Sequence, residues 1–385
     1  MKIMYLILFL FVIIVLLFFL LAPGIVNRSM NKTVHKNVAI QAVRWYDTIP
    51  FIADLHCDAL LWNRNLLKRS NDGHVDIPRM QEANAAFQVF TIVSKTPRGI
   101  NIENNSDKTD QIALLSFAQL KPIQDWFSIK ARAIHQCKQL HYFAQQSNGK
   151  FRVITNQIEL QKFINDRKTN HLLTAGMLGI EGAHCLEGDV QNLDTFYKLG
   201  VRYIGLTHFF DNDFGGSAHG IIKGGLTEKG KLLISKMQDL HIIIDLAHAS
   251  PKLFDDIVQY STGPLIVSHT GVKGTCNNTR NLSDAQIDAI GKRNGLIGIG
   301  LWETAVCGTD AAATANAISY VANRIGINKV ALGSDFDGAI TTSYDITGFR
   351  AIVNALVDKG FTRKEIEQVM GGNVRDFLLN HLPKE

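Results

Sequence analysis

Eight short apolar runs, each ending close to a polar or aromatic side chain, constrain this 385-residue chain more than any other feature. They are Pro50–Asp58, Ala85–Val93, Leu172–Gly182, Val201–His208, His241–His248, Gly263–Thr270, Asn294–Trp302 and Lys329–Asp337. Seven finish at or next to an acid, a histidine or a tryptophan. The runs are rich in Ile, Val and Leu without strict alternation, which indicates strands covered on both faces. Helical spacing between them completes a strand–helix rhythm, and this pattern predicts an α/β protein built as a (β/α)8 TIM-type barrel. An open doubly wound sheet would carry a Gly-rich phosphate turn after its first strand, and His56-Cys57-Asp58-Ala59-Leu60 is not one.

Helices are expected at Asn192–Leu199, Thr227–Leu240, Pro251–Tyr260, Ser283–Ile290 and Ala311–Ile325. Gly200, Gly291 and Gly326 would follow three helix ends, and Thr362 would cap the second of two tail helices. A longer helical excursion, Lys108–Phe143, separates the second and third strands.

Ahead of the barrel lies one membrane-type element. Ile3 to Ala22 are uninterruptedly apolar, and 20 such residues span about 30 Å as a helix, the thickness of a bilayer core. The run ends Leu-Leu-Ala-Pro-Gly, a poor cleavage site, which favours an uncleaved anchor over an export signal. The chain then divides into an anchor (1–24), a juxtamembrane segment (25–49) and a barrel domain (50–385). Membrane contact is expected through residues 3–22. Lys2 weighed against Arg28, Lys32 and Lys36 mildly favours a cytoplasmic body, though the side stays open.

Charge excludes one class of partner. Residues 1–44 hold five basic residues and no acid, and removing those five from the 40 leaves 35, equal to the 35 acids. The neutral body argues against a nucleic-acid groove. Cys57, Cys137, Cys185, Cys276 and Cys307 have neither CxxC spacing nor the pattern of a disulfide framework. Cys57 reads as a small buried hydrophobe.

The strand ends collect a metal-binding set. His56 and Asp58 share a face by alternation and can reach one cation. Glu181 has two oxygens and can bridge two ions, with Glu187 as a competitor beyond the strand end. His248 and His269 end consecutive strands and offer two nitrogens to a second ion. His208 is a further ligand or a donor to a developing oxyanion. Asp335 closes the eighth strand beside the first, where a carboxylate can pass a proton to a leaving amine. Asp337 is read as a loop residue, and His184 and His219 as pocket residues at the same end.

Together, Asp-Leu-His-Cys-Asp, Gly-Ile-Glu-Gly-Ala-His, Gly-Leu-Thr-His, Ile-Asp-Leu-Ala-His-Ala-Ser, Val-Ser-His-Thr, Thr-Arg-Asn-Leu and Gly-Ser-Asp-Phe-Asp-Gly resemble, in order, the membrane dipeptidase (renal dipeptidase) family of zinc metallopeptidases. The resemblance runs from about residue 50 to 383. It implies hydrolysis of small dipeptides by a hydroxide between two zinc ions per chain. Glu181 would bridge the ions, His56 and Asp58 would complete one site, and His248 and His269 the other. Asp335 would be the acid/base, His208 would contact the scissile carbonyl, and Arg280 would receive the substrate's terminal carboxylate. Where the family can carry a tyrosine for that carboxylate, this chain has Gly300-Leu301-Trp302-Glu303, so Trp302 becomes a substrate-pocket residue. Two alternatives stay open. One is a barrel metallohydrolase acting on a lactam, lactone or phosphoester; the other is a non-catalytic anchored binding protein. Whether two chains pair as a homodimer is also open.

Overall fold

A computed structural model describes residues 1–34 and 40–385; His35 and Lys36 lie outside the described residues. The eight runs form eight parallel strands: β1 (Ile52–Cys57), β2 (Ala85–Ile92), β3 (Thr174–Glu181), β4 (Val201–Gly205), β5 (Ile243–Asp245), β6 (Leu265–Thr270), β7 (Leu296–Ile299) and β8 (Val330–Leu332). Neighbours follow chain order, and β8 returns to β1 through Leu332 opposite Asp54, so the sheet closes as a (β/α)8 barrel. An additional short strand, Phe151–Val153, pairs with the first half of β3 before β4 takes over the second half.

Alternation along the strands separates two apolar layers. Ala53, Leu55, Phe87, Val89, Met177, Tyr203, Ile243, Ile266 and Ala331 belong to the cluster that fills the barrel. Ile92, Ile180, Ile204, Ile244, Val267, Ile297 and Leu332 face the surrounding helices. Val374, Phe377 and Leu378 of helix Asn373–His381 join the inner cluster, so the barrel is a packed core.

Helix starts follow capping chemistry. Thr227, Ser250, Ser283, Asp310 and Thr362 each accept a backbone N–H from the first turn. Ser283–Gln286 and Thr362–Glu365 are full capping boxes. Gly200 and Gly326 have positive φ after helix ends. Gly291 does not: its helix runs on to Lys292, and Asn294 takes the left-handed turn instead.

The amino-terminal helix, α1 (Lys2–Met30), outlasts its apolar run and carries Pro23 inside it. Residues 25–34 are consequently not a free tether. Asn31 Nδ2 donates to Asn27 Oδ1 at 2.8 Å, and Asn31 Oδ1 accepts from Ala339 N at 2.9 Å. Lys32–Thr33 then pairs with Thr341–Thr342 just beyond β8. These contacts fasten the end of α1 to the carboxyl-terminal rim of the barrel. The cysteine reading also needs correction, because Cys276 and Cys307 form a disulfide. The loops after β6 and β7 meet there, a proximity created by the barrel rather than by sequence spacing. Cys57, Cys137 and Cys185 are free and buried.

Candidate metal centre

The candidate ligands converge because each comes from a strand end or the loop directly after it. Register shifts along β1, the second between Asp54 and Cys57, irregularise the pairing just where His56 enters the barrel mouth. Cys57 joins the outer cluster with its thiol toward Asp337. Glu181 is the last residue of β3, and Gly182 turns the chain at φ +88°, where a Cβ would collide with His184. His248 and Asp335 adopt left-handed backbone at φ +61° and +59°, conformations that non-glycine residues adopt at a cost and that cluster at functional sites.

Glu181 sits at the centre. Its Oε1 lies 2.9 Å from His248 Nε2, 3.3 Å from His269 Nε2 and 3.5 Å from His56 Nε2. Its Oε2 lies 3.4 Å from His208 Nε2. His248 Nε2 and His269 Nε2 are themselves 3.0 Å apart. His56 Nε2 is 3.5 Å from Asp58 Oδ1, and Asp335 groups with that pair. Three donor sets are thereby assembled: His56–Glu181–His269, Glu181–His208–His248 and His56–Asp58–Asp335.

Charge in the cluster is unbalanced. Burial, reinforced by Asp58, pushes the Glu181 carboxyl up to about 7. Burial, with Asp58 and Glu181 adding to it, holds Asp335 well above the usual carboxylate range. Burial lowers His208, His248 and His269 well below the ordinary imidazole value, aided by neighbouring histidines and Arg280. Burial would also lower His56, but Glu181 and Asp58 outweigh it and raise this imidazole. Crowded carboxylates beside three imidazoles that resist protonation describe a site that gains by taking up cations. Among the described residues, buried His56 Nε2, His208 Nδ1 and His248 Nδ1 have no hydrogen-bond partner. This donor set fits divalent metal.

A supporting layer was not singled out from sequence. Ser268 Oγ donates to Asp245 Oδ2 at 2.6 Å. Having spent its one proton, it can only accept from His269 Nδ1 at 2.9 Å and His56 Nδ1 at 3.1 Å. That network assigns the proton of both rings to Nδ1 and leaves both Nε2 lone pairs toward Glu181. Tyr203 acts alike: its hydroxyl donates to Leu55 O at 2.9 Å and lies 3.3 Å from His56 Nδ1. Thr91 Oγ1 donates to Asp58 Oδ1. Asp245 and Ser268 stand two residues after the inward-facing Ile243 and Ile266, and that alternation was the available signal. Ser268→Ala is expected to cost about 1–3 kcal/mol of stability, because the buried Asp245 oxygen loses its donor, and to weaken metal affinity about 10–100-fold, the usual effect of removing such a support. Chelator competition would measure it, and wild-type affinity would show that the rings are oriented by packing alone.

Around the centre is a cavity of about 600 Å³ whose wall includes Asp58, Glu181, His208, Phe209, His219, His248, Arg280, Trp302 and Asp335. Arg280 donates from Nη2 to His269 O at 2.8 Å, and its guanidinium lies 5.7 Å from the Trp302 ring centroid. His219 Nδ1 meets Ile102 O at 2.8 Å while Nε2 has no partner. His184 is buried against Phe210 and is not part of the cavity wall. Asp337 is also apart from the centre: fully buried, it pairs with Arg64 at 2.5 Å and receives the His74 and Val75 N–H groups. Glu187 is exposed and accepts from Ser128 and Lys130 N.

Comparison with known proteins places this arrangement in a family. Residues 41–377 match the family described as Membrane dipeptidase (Peptidase family M19). "Dipeptidase aclJ" of Aspergillus oryzae is 27% identical over 371 residues, covering 90% of this chain and 80% of that protein. "Dipeptidase tcpJ" of Claviceps purpurea is 27% identical over 316 residues, covering 78% of this chain and 68% of that protein. A solved metallopeptidase from Rhodobacter sphaeroides, liganded with a phosphinate mimic of the dipeptide L-Ala-D-Ala, has the same fold. It superposes with a TM-score of 0.70 at 24% identity, covering 86% of this chain and 99% of that one. The chain belongs to the membrane dipeptidase family and is a metal-dependent hydrolase of the dipeptidase class.

Proposed function

We propose that this chain cleaves small dipeptides at a centre of two zinc ions, from a body held on a membrane by α1. The observation that carries the metal reading is one carboxylate, Glu181, in reach of four imidazole nitrogens. His56 and Asp58 would hold one ion, His248 and His269 the other, with Glu181 shared. Such a pair supplies Lewis acidity at the scissile carbonyl and an ionised water at neutral pH. Arg280 holds the substrate's carboxylate, which sets the scissile bond one residue away. His208 donates to the carbonyl oxygen as negative charge develops there. Asp335 takes a proton from the attacking water and delivers it to the departing amine. Trp302 closes the cavity beside Arg280.

Arg280 makes the reading specific to dipeptides. Free dipeptides should be cleaved, and the same compounds with amidated carboxyl termini should lose about one to two orders of magnitude in kcat/KM, the equivalent of one charge-assisted contact of roughly 1.5–3 kcal/mol. Arg280→Lys should recover only part of the preference, because an ammonium cannot reproduce a two-pronged contact. Equal kcat/KM for free and amidated substrates would instead favour a barrel hydrolase acting on a lactam, lactone or phosphoester. The ligand of the Rhodobacter protein mimics an L,D-dipeptide, so the panel should contain L,L-, L,D- and D,D-dipeptides.

The body is assigned to the oxidising side of the membrane. The Cys276–Cys307 disulfide persists in such compartments. Arg28, one of the charges that favoured the opposite side, pairs with Asp72 at 3.1 Å.

A further inference from the structure

Two short helices between β2 and the strand Phe151–Val153 turn much of their apolar surface outward. Helix α2 (Gln111–Ala118) buries Ile112 and Ser116, Gln119 just past its end is buried too, and α3 (Ile123–Phe127) buries only Asp125. Gln119 Nε2 donates to Leu61 O at 3.2 Å, and Asp125 lies 3.1 Å from His135 Nδ1. Leu114, Phe117, Leu120, Ile123 and Phe127 are left outside, Phe127 at 81% exposure. Water does not select that polarity; an apolar surrounding does. A contiguous exposed apolar patch marks a binding surface or a membrane contact.

The position of the patch identifies the surrounding. Phe117 packs edge-on against Phe19 of α1, with ring centroids 5.2 Å apart, and against Trp126 at 5.0 Å. Phe19 lies three residues before the apolar run ends at Ala22, which at 1.5 Å per residue puts it about 4.5 Å inside the end of that run. Interfacial helices bury their apolar faces to about 5–10 Å. If α1 spans the bilayer, the patch therefore lies at the depth of the lipid interface. The indole N–H of Trp126 donates to Lys121 O at 2.9 Å, and tryptophan is enriched at that level.

We propose that α2 and α3 form a second membrane contact, seating Leu114, Phe117, Leu120, Ile123 and Phe127 in the lipid surface beside the anchor. This rests on the reading of α1 as a retained anchor. The catalytic cavity then opens at the bilayer interface, because Phe18, Ala22, Val26 and Met30 of α1 and Leu114, Leu115 and Ala118 of α2 line it together with Glu181 and Asp335.

The test uses the full chain, its intact mass verified, reconstituted in phosphatidylcholine–phosphatidylglycerol nanodiscs. Cys57, Cys137 and Cys185 are buried, so a fluorophore can be directed to Leu120→Cys, Phe127→Cys or, as a control, Leu172→Cys. Leu172 is exposed and precedes β3 at the opposite end of the barrel. Each labelled protein must still turn over a soluble dipeptide, which reports folding. At 120 and 127 the fluorescence should be lost to nitroxides on the lipid chains and resist aqueous iodide; at 172 the order should reverse. Iodide quenching at all three positions overturns the proposal. So does shielding of 120 and 127 from both quenchers, which would mean that a second copy or another protein covers the patch. The anchor reading has its own readout: the mass of the chain extracted from cell membranes. A chain lacking residues 1–22 refutes that reading, whereas a retained helix with iodide-quenched labels refutes the second contact alone.

Discussion

Glu181→Gln should empty both halves of the metal centre and lower kcat/KM by about three orders of magnitude or more, since Lewis-acid stabilisation is worth several kcal/mol. The amide keeps the size of the side chain but loses the charge. It also puts an NH2 group in place of one oxygen, either beside His208 at 3.4 Å or beside the three imidazoles that now face Oε1 at 2.9–3.5 Å. Among the described residues Glu181 is the one carboxylate shared by two of the three donor sets; Asp58 and Asp335 both belong to the third, with His56. His269→Ala should chiefly deplete one ion, because His56 and Asp58 remain. Elemental analysis of the purified full chain decides between the outcomes. Two ions retained by Glu181→Gln, or fewer than two in the active parent protein, would end the shared-carboxylate reading.

The contrast between these variants depends on architecture that was largely legible in the sequence. All eight strands were readable because a barrel strand covered on both faces is an apolar run, and its working end is the place where chemistry interrupts that run. The supporting shell was harder to read. Asp245 and Ser268 stand in the same motifs as His248 and His269, but a serine or an aspartate on a strand has too many ordinary uses for type and spacing to distinguish it. Their roles emerge from which proton goes where, and that requires the 2.6 Å and 2.9 Å contacts. The Cys276–Cys307 pair was hidden because the two residues lie 31 positions apart, with a whole helix and strand between them. The end of α1 was hidden for a related reason. Local signals, Pro23 and Gly24 after an apolar run, suggest a stop, while Asn31 and the Lys32–Thr33 pairing hold the helix to a rim whose Ala339 lies 308 residues further on.

Asp335→Asn should separate proton transfer from metal binding. Asparagine tolerates the left-handed backbone nearly as well as aspartate, so the turn at φ +59° should survive. His56, Asp58, Glu181, His248 and His269 remain to hold metal, and content should stay near that of the parent. What disappears is a base: an amide cannot take a proton from the attacking water or return it to the amine. General acid–base groups contribute about 10²–10⁴-fold, and a loss of that size is expected in kcat with a smaller change in KM. The site supplies the reason this carboxyl suits the task. Burial and the nearby Asp58 and Glu181 raise its affinity for a proton well above that of an ordinary carboxylate, against the opposing pull of His56 and Arg280. Near-parent rates with full metal would move the role elsewhere. Asp337 is then a poor substitute, because Arg64 and two backbone N–H groups hold its buried carboxylate ionised and out of the cavity. His219, on the cavity wall with Nε2 unpartnered, would be the residue to test next.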